Sequence, residues 1–330
     1  MSGGADAAFG EVSKPEFMKT LAKALHKPVK HKYPTRKVFA PSKDHTWSID
    51  LADMSAWKTE NDGVTFILCI VDVFTRWADA RPLKTKTGAE VLKALQSIIT
   101  ESKRQPKFLW ADEGKEFLNT QLTAWRTAQK IGIYHTYGRG KSVIVERFNR
   151  SLKTMMWRTL TEMNSHAWVV ILPELISTYN KTTHSTMKMT PNYASAHPDK
   201  AAALWLSMKD EAKETTKKPT FAVGDWVRIS RTKGLFEKGY DVNWSRSIFK
   251  VTSVLQTTPI TYHIDDWDGT TIKGSFYTEE LQKVKYPDTF LVEKVIKERG
   301  KGAKHELFVK WLGYEADANS WIKASDATEV

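Results

Sequence analysis

Thr46-Trp47-Ser48-Ile49-Asp50-Leu51 and Val64-Thr65-Phe66-Ile67-Leu68-Cys69-Ile70-Val71-Asp72-Val73-Phe74 are the two strings on which the fold turns. In the first, Trp47, Ile49 and Leu51 alternate with Ser48 and Asp50, the period-two pattern of a strand with one apolar and one polar face. The second is apolar on both sides and suits the centre of a sheet. Asn61-Asp62-Gly63 is a turn signal between them, and residues 76–83 complete a meander. Further along, residues 87–102 read as a helix with Val91, Leu92, Leu95, Ile98 and Ile99 as its stripe. A short strand at 107–111 runs into Asp112, followed by a helix at 118–130 and a strand at 132–136. After Gly138-Arg139-Gly140, residues 141–161 form a long amphipathic helix, and a further helix ends near Tyr179-Asn180. Antiparallel strands followed by alternating helices and strands predict a mixed α/β sheet.

Towards the amino terminus, residues 1–12 are small and polar and are expected to be disordered. Ser13, Pro15 and Glu16 mark a helix start, with Phe17, Leu21 and Leu25 on one face. Residues 1–43 form a basic amino-terminal segment that either tracks phosphates or is a solvated helix and linker. His26 and His31 have no cysteine near them, so no zinc site is expected. Cys69, the one cysteine, permits no internal disulfide and reads as a buried thiol in a reducing compartment. No apolar run is long enough to span a bilayer, and no secretory signal is evident. The net charge of +12 points to a polyanionic partner, of which nucleic acid is the commonest.

Three carboxylates stand where a divalent cation would need them. Asp50 is on the polar face of the first strand, Asp112 closes a later strand, and Glu146 lies in the long helix. Ile144, Phe148, Leu152 and Met155 have core spacing. Glu146 lies about 200° around the helix from Ile144, on a face shared with Arg150, Lys153 and Trp157, with Asn149 beside it. Taken singly, each acid is an ordinary surface residue or turn-former.

In company they resemble a known pattern. Residues 47–197 resemble the catalytic core of retroviral and retrotransposon integrases, and most of all the integrases of Maverick/Polinton transposons. The resemblance is carried by Trp47-Ser48-Ile49-Asp50-Leu51-Ala52-Asp53-Met54, by Val71-Asp72-Val73-Phe74-Thr75-Arg76, and by Asp112, Gly114, Glu116 and Phe117. It continues through 141–153, Tyr179-Asn180, His184-Ser185 and Thr190-Pro191. Thirty-three residues lie between Asp112 and Glu146, two fewer than in retroviral integrases. The resemblance implies an RNase H-like core over 44–206 with Asp50, Asp112 and Glu146 as catalytic and metal-binding triad. It implies two Mg²⁺ or Mn²⁺ ions, 3′-end processing and strand transfer of element DNA, and a dimer or tetramer acting in the nucleus. Lys141, Arg147, Arg150 and Lys153 are then candidates for phosphate contact, with an intramolecular ion pair the alternative for Arg147. Asn149 is expected to contact DNA or to orient Glu146. A domesticated, inactive DNA- or chromatin-binding protein is the alternative function.

Beyond a lysine- and glutamate-rich linker at 207–219, short strands separated by turn residues predict a small β-barrel over 220–285. Phe221-Ala222-Val223-Gly224-Asp225-Trp226-Val227-Arg228-Ile229 resembles the Src-homology-3-like barrel of retroelement integrases, which implies DNA contacts at Arg228 and Arg231. Residues 286–330 resemble a chromodomain through 290–295, 309–314 and Asn319-Ser320-Trp321. That resemblance implies an aromatic cage for methyl-lysine at Phe290, Trp311 and Tyr314, and hence a methylated histone tail or nucleosome as partner. Trp321 reads as core.

Overall fold

The string quoted first becomes β1 (Thr46–Asp53), and the apolar run becomes β2 (Phe66–Asp72). They pair antiparallel, with Asp50 opposite Cys69. Ile67, Cys69 and Val71 enter one core while Leu68 and Ile70 enter another, as the strand period of two requires. β3 (Ala78–Leu83), β4 (Phe108–Ala111) and β5 (Gly132–His135) complete a sheet of order β3-β2-β1-β4-β5, with β4 and β5 parallel to β1. The computed structural model describes residues 14–36, 38–112, 114–135, 143–213, 218–231 and 240–325. The chain divides into a unit of 37–214 and a second in which 1–36 joins 215–330.

Within 37–214, α2 (Gly88–Ser102) and α3 (Thr120–Ala128) cover one face of the sheet. The other is covered by α4 (Val143–Glu162) and α5 (Leu172–Lys181). The buried stripe of α4 is Val145, Phe148, Leu152, Met156 and Leu160. It is therefore rotated from the expected one: Ile144 and Met155 are only partly buried. The side of β1 opposite Trp47 and Ile49 is also covered, since Ser48 is fully buried and Ala52 belongs to the core of Ile67, Cys69 and Val71. α6 (Pro191–Ala196) and α7 (Pro198–Lys213) follow. The helix α7 runs through the first half of the expected linker, and its Trp205 donates to the Phe74 carbonyl at 2.9 Å.

The basic amino-terminal segment is divided between the units. Val38 and Ala40 pack in 37–214, and Phe39 meets Trp205 edge-on at 5.3 Å. In the second unit, α1 (Lys14–Leu25) buries Phe17 and Leu25. Ser13 lies outside the described residues. That unit holds β6 (Trp226–Ile229), β7 (Phe249–Leu255), β8 (Thr261–Asp265), β9 (Phe276–Tyr277) and β10 (Leu281–Lys283) in antiparallel order β10-β6-β7-β8-β9. A three-stranded sheet follows: β11 (Val292–Arg299), β12 (Glu306–Trp311) and β13 (Ser320–Lys323). The end of α1 is tied to the five-stranded sheet. Asn243 N–H donates to Leu25 O at 2.8 Å and Gln282 donates to Ala24 O at 3.2 Å. Among the described residues no helix is long and apolar enough to cross a membrane.

The turn after β2 is braced by charge. Asp72 is fully buried and accepts from Thr75 Oγ1 (2.6 Å) and from Arg104 (2.8 Å). Arg104 also grips Asp44 at 2.7 Å, and its guanidinium lies 4.2 Å from the Trp77 ring centroid. Removing one partner of such a network strands a buried charge. We expect Arg104→Met to lose about 3–5 kcal/mol in urea unfolding, and Asp72→Asn combined with it to lose less than the single change. A single-variant loss under about 1 kcal/mol, the range of a surface pair, would contradict this account of the turn.

Candidate functional site

β1 and β4 are parallel, with Thr46 opposite Phe108, Trp47 opposite Leu109 and Ser48 opposite Trp110. The same offset carried two residues on sets Asp50, within β1, level with Asp112, just past the carboxyl end of β4. That edge is where open α/β sheets expose side chains from strand ends and loops. α4 packs over β1 and β2 and brings Glu146 in its first turn.

The three acids share one electrostatic neighbourhood. The Asp50 carboxyl is raised from the ordinary carboxylate range to about 6, first by burial and then by the charges of Asp112, Glu146 and Glu116. A hydrogen bond from Leu51 N–H (2.9 Å) opposes the rise. Asp50 is half-buried, Asp112 is half-buried and Glu146 is exposed. Among the described residues, no three His, Cys, Asp or Glu groups lie close enough to hold an ion together. Asp112 and Glu146 therefore lie within electrostatic reach of Asp50 without forming a closed ligand set. Their chemistry nonetheless fits a hard divalent cation: clustered carboxylate oxygens whose mutual repulsion a positive ion would relieve.

Two residues position this cluster. Asn149 Nδ2 donates to Asp50 Oδ2 at 2.8 Å, so Asn149 holds Asp50 and not Glu146 as expected. Its Oδ1 is buried without a partner, an acceptor available to the site. His135 Nδ1 donates to the Asp112 backbone carbonyl at 2.8 Å, fixing the strand end that carries Asp112. His135 escaped the sequence reading because its role depends on β5 lying beside β4. Glu116 was visible in the Asp112 string, but not its reach to Asp50.

The expected DNA contacts separate. Arg150 is exposed on the helix face of Glu146, and Lys153 Nζ lies 3.4 Å from the Asp53 carbonyl. Arg147 has turned away from the acids and makes no ion pair among the described residues. Lys141 lies outside the described residues. Arg228 is a correction: it is buried, and its guanidinium donates to the carbonyls of Ser245 (2.9 Å) and Arg246. Those bonds make it an internal strut, not a phosphate contact. Arg231 is exposed.

Phe290, Trp311 and Tyr314 do come together. The Phe290 ring centroid is 5.9 Å from each of the other two. Trp311 is 7% exposed and donates to Ser320 Oγ at 2.9 Å, and the Tyr314 hydroxyl accepts Ile248 N–H at 3.2 Å. Gly313, at φ +92°, allows this turn to meet Arg246, into whose Cβ a side chain would run. Trp321 stacks beside Phe308 at 5.3 Å, under the Arg299 guanidinium.

No family model matches the chain. It is 31% identical over 206 residues to a transposon-derived protein of Caenorhabditis elegans, covering 62% of this chain and 68% of the relative. It is 30% identical over 129 residues to the Gag-Pol polyprotein of feline leukemia virus, covering 38% of this chain but only 7% of that polyprotein. A chain of the simian T-cell lymphotropic virus intasome, solved in complex with the PP2A regulatory subunit B56 gamma, shares the fold with TM-score 0.57. That match is 17% identical and covers 83% of this chain and 92% of the other.

The raised Asp50 carboxyl has a thermodynamic consequence. Its folded value of about 6 lies above the unfolded value of about 3.9. Between these, the folded state binds the extra proton, so this group lowers stability as pH rises through the interval. The full effect, at most about 3 kcal/mol, is present above the folded value. In metal-free buffer, Asp50→Asn should be more stable than wild type by up to that amount above about pH 7, converging below about pH 4. Urea unfolding across pH checks this; equal stability at both ends would mean the carboxylate ionises there without cost.

Proposed function

The chain belongs to the retroviral integrase-like family, and on that premise we propose that it is a transposable-element DNA integrase of the Maverick/Polinton kind. The proposed reactions are metal-dependent trimming of element ends and joining of each 3′-hydroxyl to target DNA. The observation that carries this reading is the level register of Asp50 and Asp112, with Glu146 close enough to raise the Asp50 carboxyl.

In this reading Asp50, Asp112 and Glu146 would hold two Mg²⁺ or Mn²⁺ ions. Such ions, when bound, activate the attacking oxygen and neutralise charge on the departing one at a phosphodiester. The chain's own groups prepare that site. Asn149 holds the Asp50 carboxylate in place, and His135 anchors the backbone at Asp112. Arg150 and Lys153, on the Glu146 side of α4, supply positive charge for the DNA backbone, with Arg231 in the second unit. Two DNA ends must be joined, which favours a dimer or tetramer working on double-stranded DNA in the nucleus.

The five-stranded antiparallel sheet supports the reading as a Src-homology-3-like barrel, and the three-stranded sheet that of a chromodomain. Phe290, Trp311 and Tyr314 then receive a methyl-lysine of a histone tail by cation–π attraction and bias insertion towards marked chromatin.

A strand-transfer assay on element-end DNA with Mg²⁺ or Mn²⁺ tests the catalytic reading. Asp50→Asn, Asp112→Asn and Glu146→Gln should each abolish joined product while DNA binding persists. Any of the three that still joins removes its residue from the site. The cage is tested by titrating methylated and unmodified histone peptides. Phe290→Ala is the informative variant, because Trp311 is buried and bonded to Ser320. It should erase the preference for the methylated peptide; an unchanged preference would exclude the cage.

A further inference from the structure

On the far side of α4 from the three acids lies a cavity of about 320 Å³, many times the roughly 30 Å³ that one water occupies in the liquid. Its polar walls are Arg76 from the turn after β2, Arg147 and Ser151 from α4, Tyr179 from α5, and the segment 182–186, which includes His184. Successive helical residues turn by about 100°, so Arg147 and Ser151 point well away from the face of Glu146. Among the described residues, no aspartate or glutamate lines this cavity.

Arg76 is the unusual member. It is 6% exposed, yet no carboxylate pairs with it among the described residues. One of its terminal nitrogens donates to the Val73 carbonyl at 2.8 Å, and its guanidinium lies 5.1 Å from the Trp205 ring centroid. Asp72, the acid in electrostatic reach, is already engaged by Arg104 and Thr75. The remaining Arg76 nitrogens are not among the sealed, unbonded polar atoms of the interior, which leaves the cavity as their outlet. Burial and the neighbouring Arg147 both draw the guanidinium down, to about 10; it is still charged at neutral pH. A buried, unpaired cation is costly. The residue also sits at φ +62°, a left-handed conformation that a long side chain adopts only under constraint.

The other polar groups of the lining are neutral donors, set among the apolar side chains of Val71, Ile144, Phe148, Met155 and Pro191. His184 is held neutral, its value lowered to about 4 first by burial and then by Arg76 and Arg147. Its Nδ1 receives Thr186 N–H at 3.2 Å, so the neutral ring carries its proton on Nε2. Tyr179 keeps its phenolic proton, raised to about 12 by burial. Hydroxyls at Thr183, Ser185 and Thr186 border the same space, while that of Thr182 donates to the Thr178 carbonyl at 2.8 Å. Two guanidiniums with uncharged donors arrayed around them suit an anion with several oxygens, and tetrahedral phosphate offers acceptors in more directions than a carboxylate.

We propose that this cavity is a phosphate-binding site, holding a phosphoryl group between Arg76 and Arg147 with the 182–186 segment supplying further hydrogen bonds. The phosphoryl group comes either from a small free phosphate or from the backbone of bound DNA. The inference is independent of the catalytic reading, since it uses none of the three acids. Occupancy neutralises the buried Arg76 and braces α4, the helix that carries Glu146 and Asn149.

The test is thermal unfolding of the full chain, without divalent metal, in inorganic pyrophosphate against chloride at matched ionic strength. A ligand that binds only the folded state raises the midpoint saturably, whereas a general salting effect continues to rise with concentration. Arg147→Gln changes an exposed side chain and should weaken pyrophosphate binding by about tenfold or more, as expected for loss of one charge-assisted contact. Ser151→Leu blocks the space without changing charge and should also remove the saturable shift, while Glu146→Gln should leave it intact. A duplex oligonucleotide that competes pyrophosphate away identifies the DNA backbone as the source; saturable binding that DNA does not displace identifies a small phosphate. Equal midpoints in pyrophosphate and chloride, or a saturable shift retained in both Arg147→Gln and Ser151→Leu, would overturn the proposal.

Discussion

The pairing of β1 on both of its edges is the constraint from which the site follows. β2 fixes it on one side, antiparallel, and β4 on the other, parallel. Trp47 and Ile49 are fully buried in one core, and a slip of one residue would move them to the opposite face. The parallel ladder then decides which residue of β4 stands level with Asp50. Behind it, the Asp72–Arg104–Asp44 network closes the turn between β2 and β3, so the charged brace sits at the opposite end of β1 from Asp50.

α4 distributes the next layer of chemistry around its circumference. Its buried stripe, Val145 to Leu160, packs on β1 and β2 and sets the rotation of the helix. That rotation gives Glu146, Asn149, Arg150 and Lys153 to the acid cluster, and Arg147 and Ser151 to the cavity. Glu146 is thus kept off the side of the helix that Arg147 shares with the cavity. Burial raises Asp50 and lowers His184, and the neighbouring charges add to each shift: acids at Asp50, arginines at His184.

The second unit shows how burial changes the meaning of a residue type. Arg228 reads as a phosphate contact until its guanidinium is found on two internal carbonyls. Tyr314 reads as one wall of a cage, and its ring does stand beside Phe290. Its hydroxyl, however, is tied to the start of β7 through Ile248 N–H, so the aromatic trio is coupled to the five-stranded sheet. Asn180 is comparable in the other unit. It belongs to the family-like string Tyr179-Asn180, and its amide bonds both Ala78 N–H and Ala78 O at 3.0 and 2.7 Å, pinning α5 to β3.

Periodicity in the chain determined the element types. The alternation in 46–51, the apolar run at 66–72 and the spacing of Val91, Leu95 and Ile98 each permit one kind of burial, and each element formed where that pattern ran. The identity of Asp50, Asp112 and Glu146 as the acids to watch was likewise legible, because motif order survives without coordinates. Element ends were less so: α7 continues to Lys213 through a polar stretch that reads as linker, since a helix needs no apolar stripe along its whole length. The tertiary structure alone decided that Asn149 holds Asp50, that Arg228 is buried, and that Arg76 meets Arg147 and His184 around one cavity. Local pattern reports which face of a segment is apolar. Which distant residue a polar head meets depends on the register and rotation of whole elements, and these are set only when the cores close.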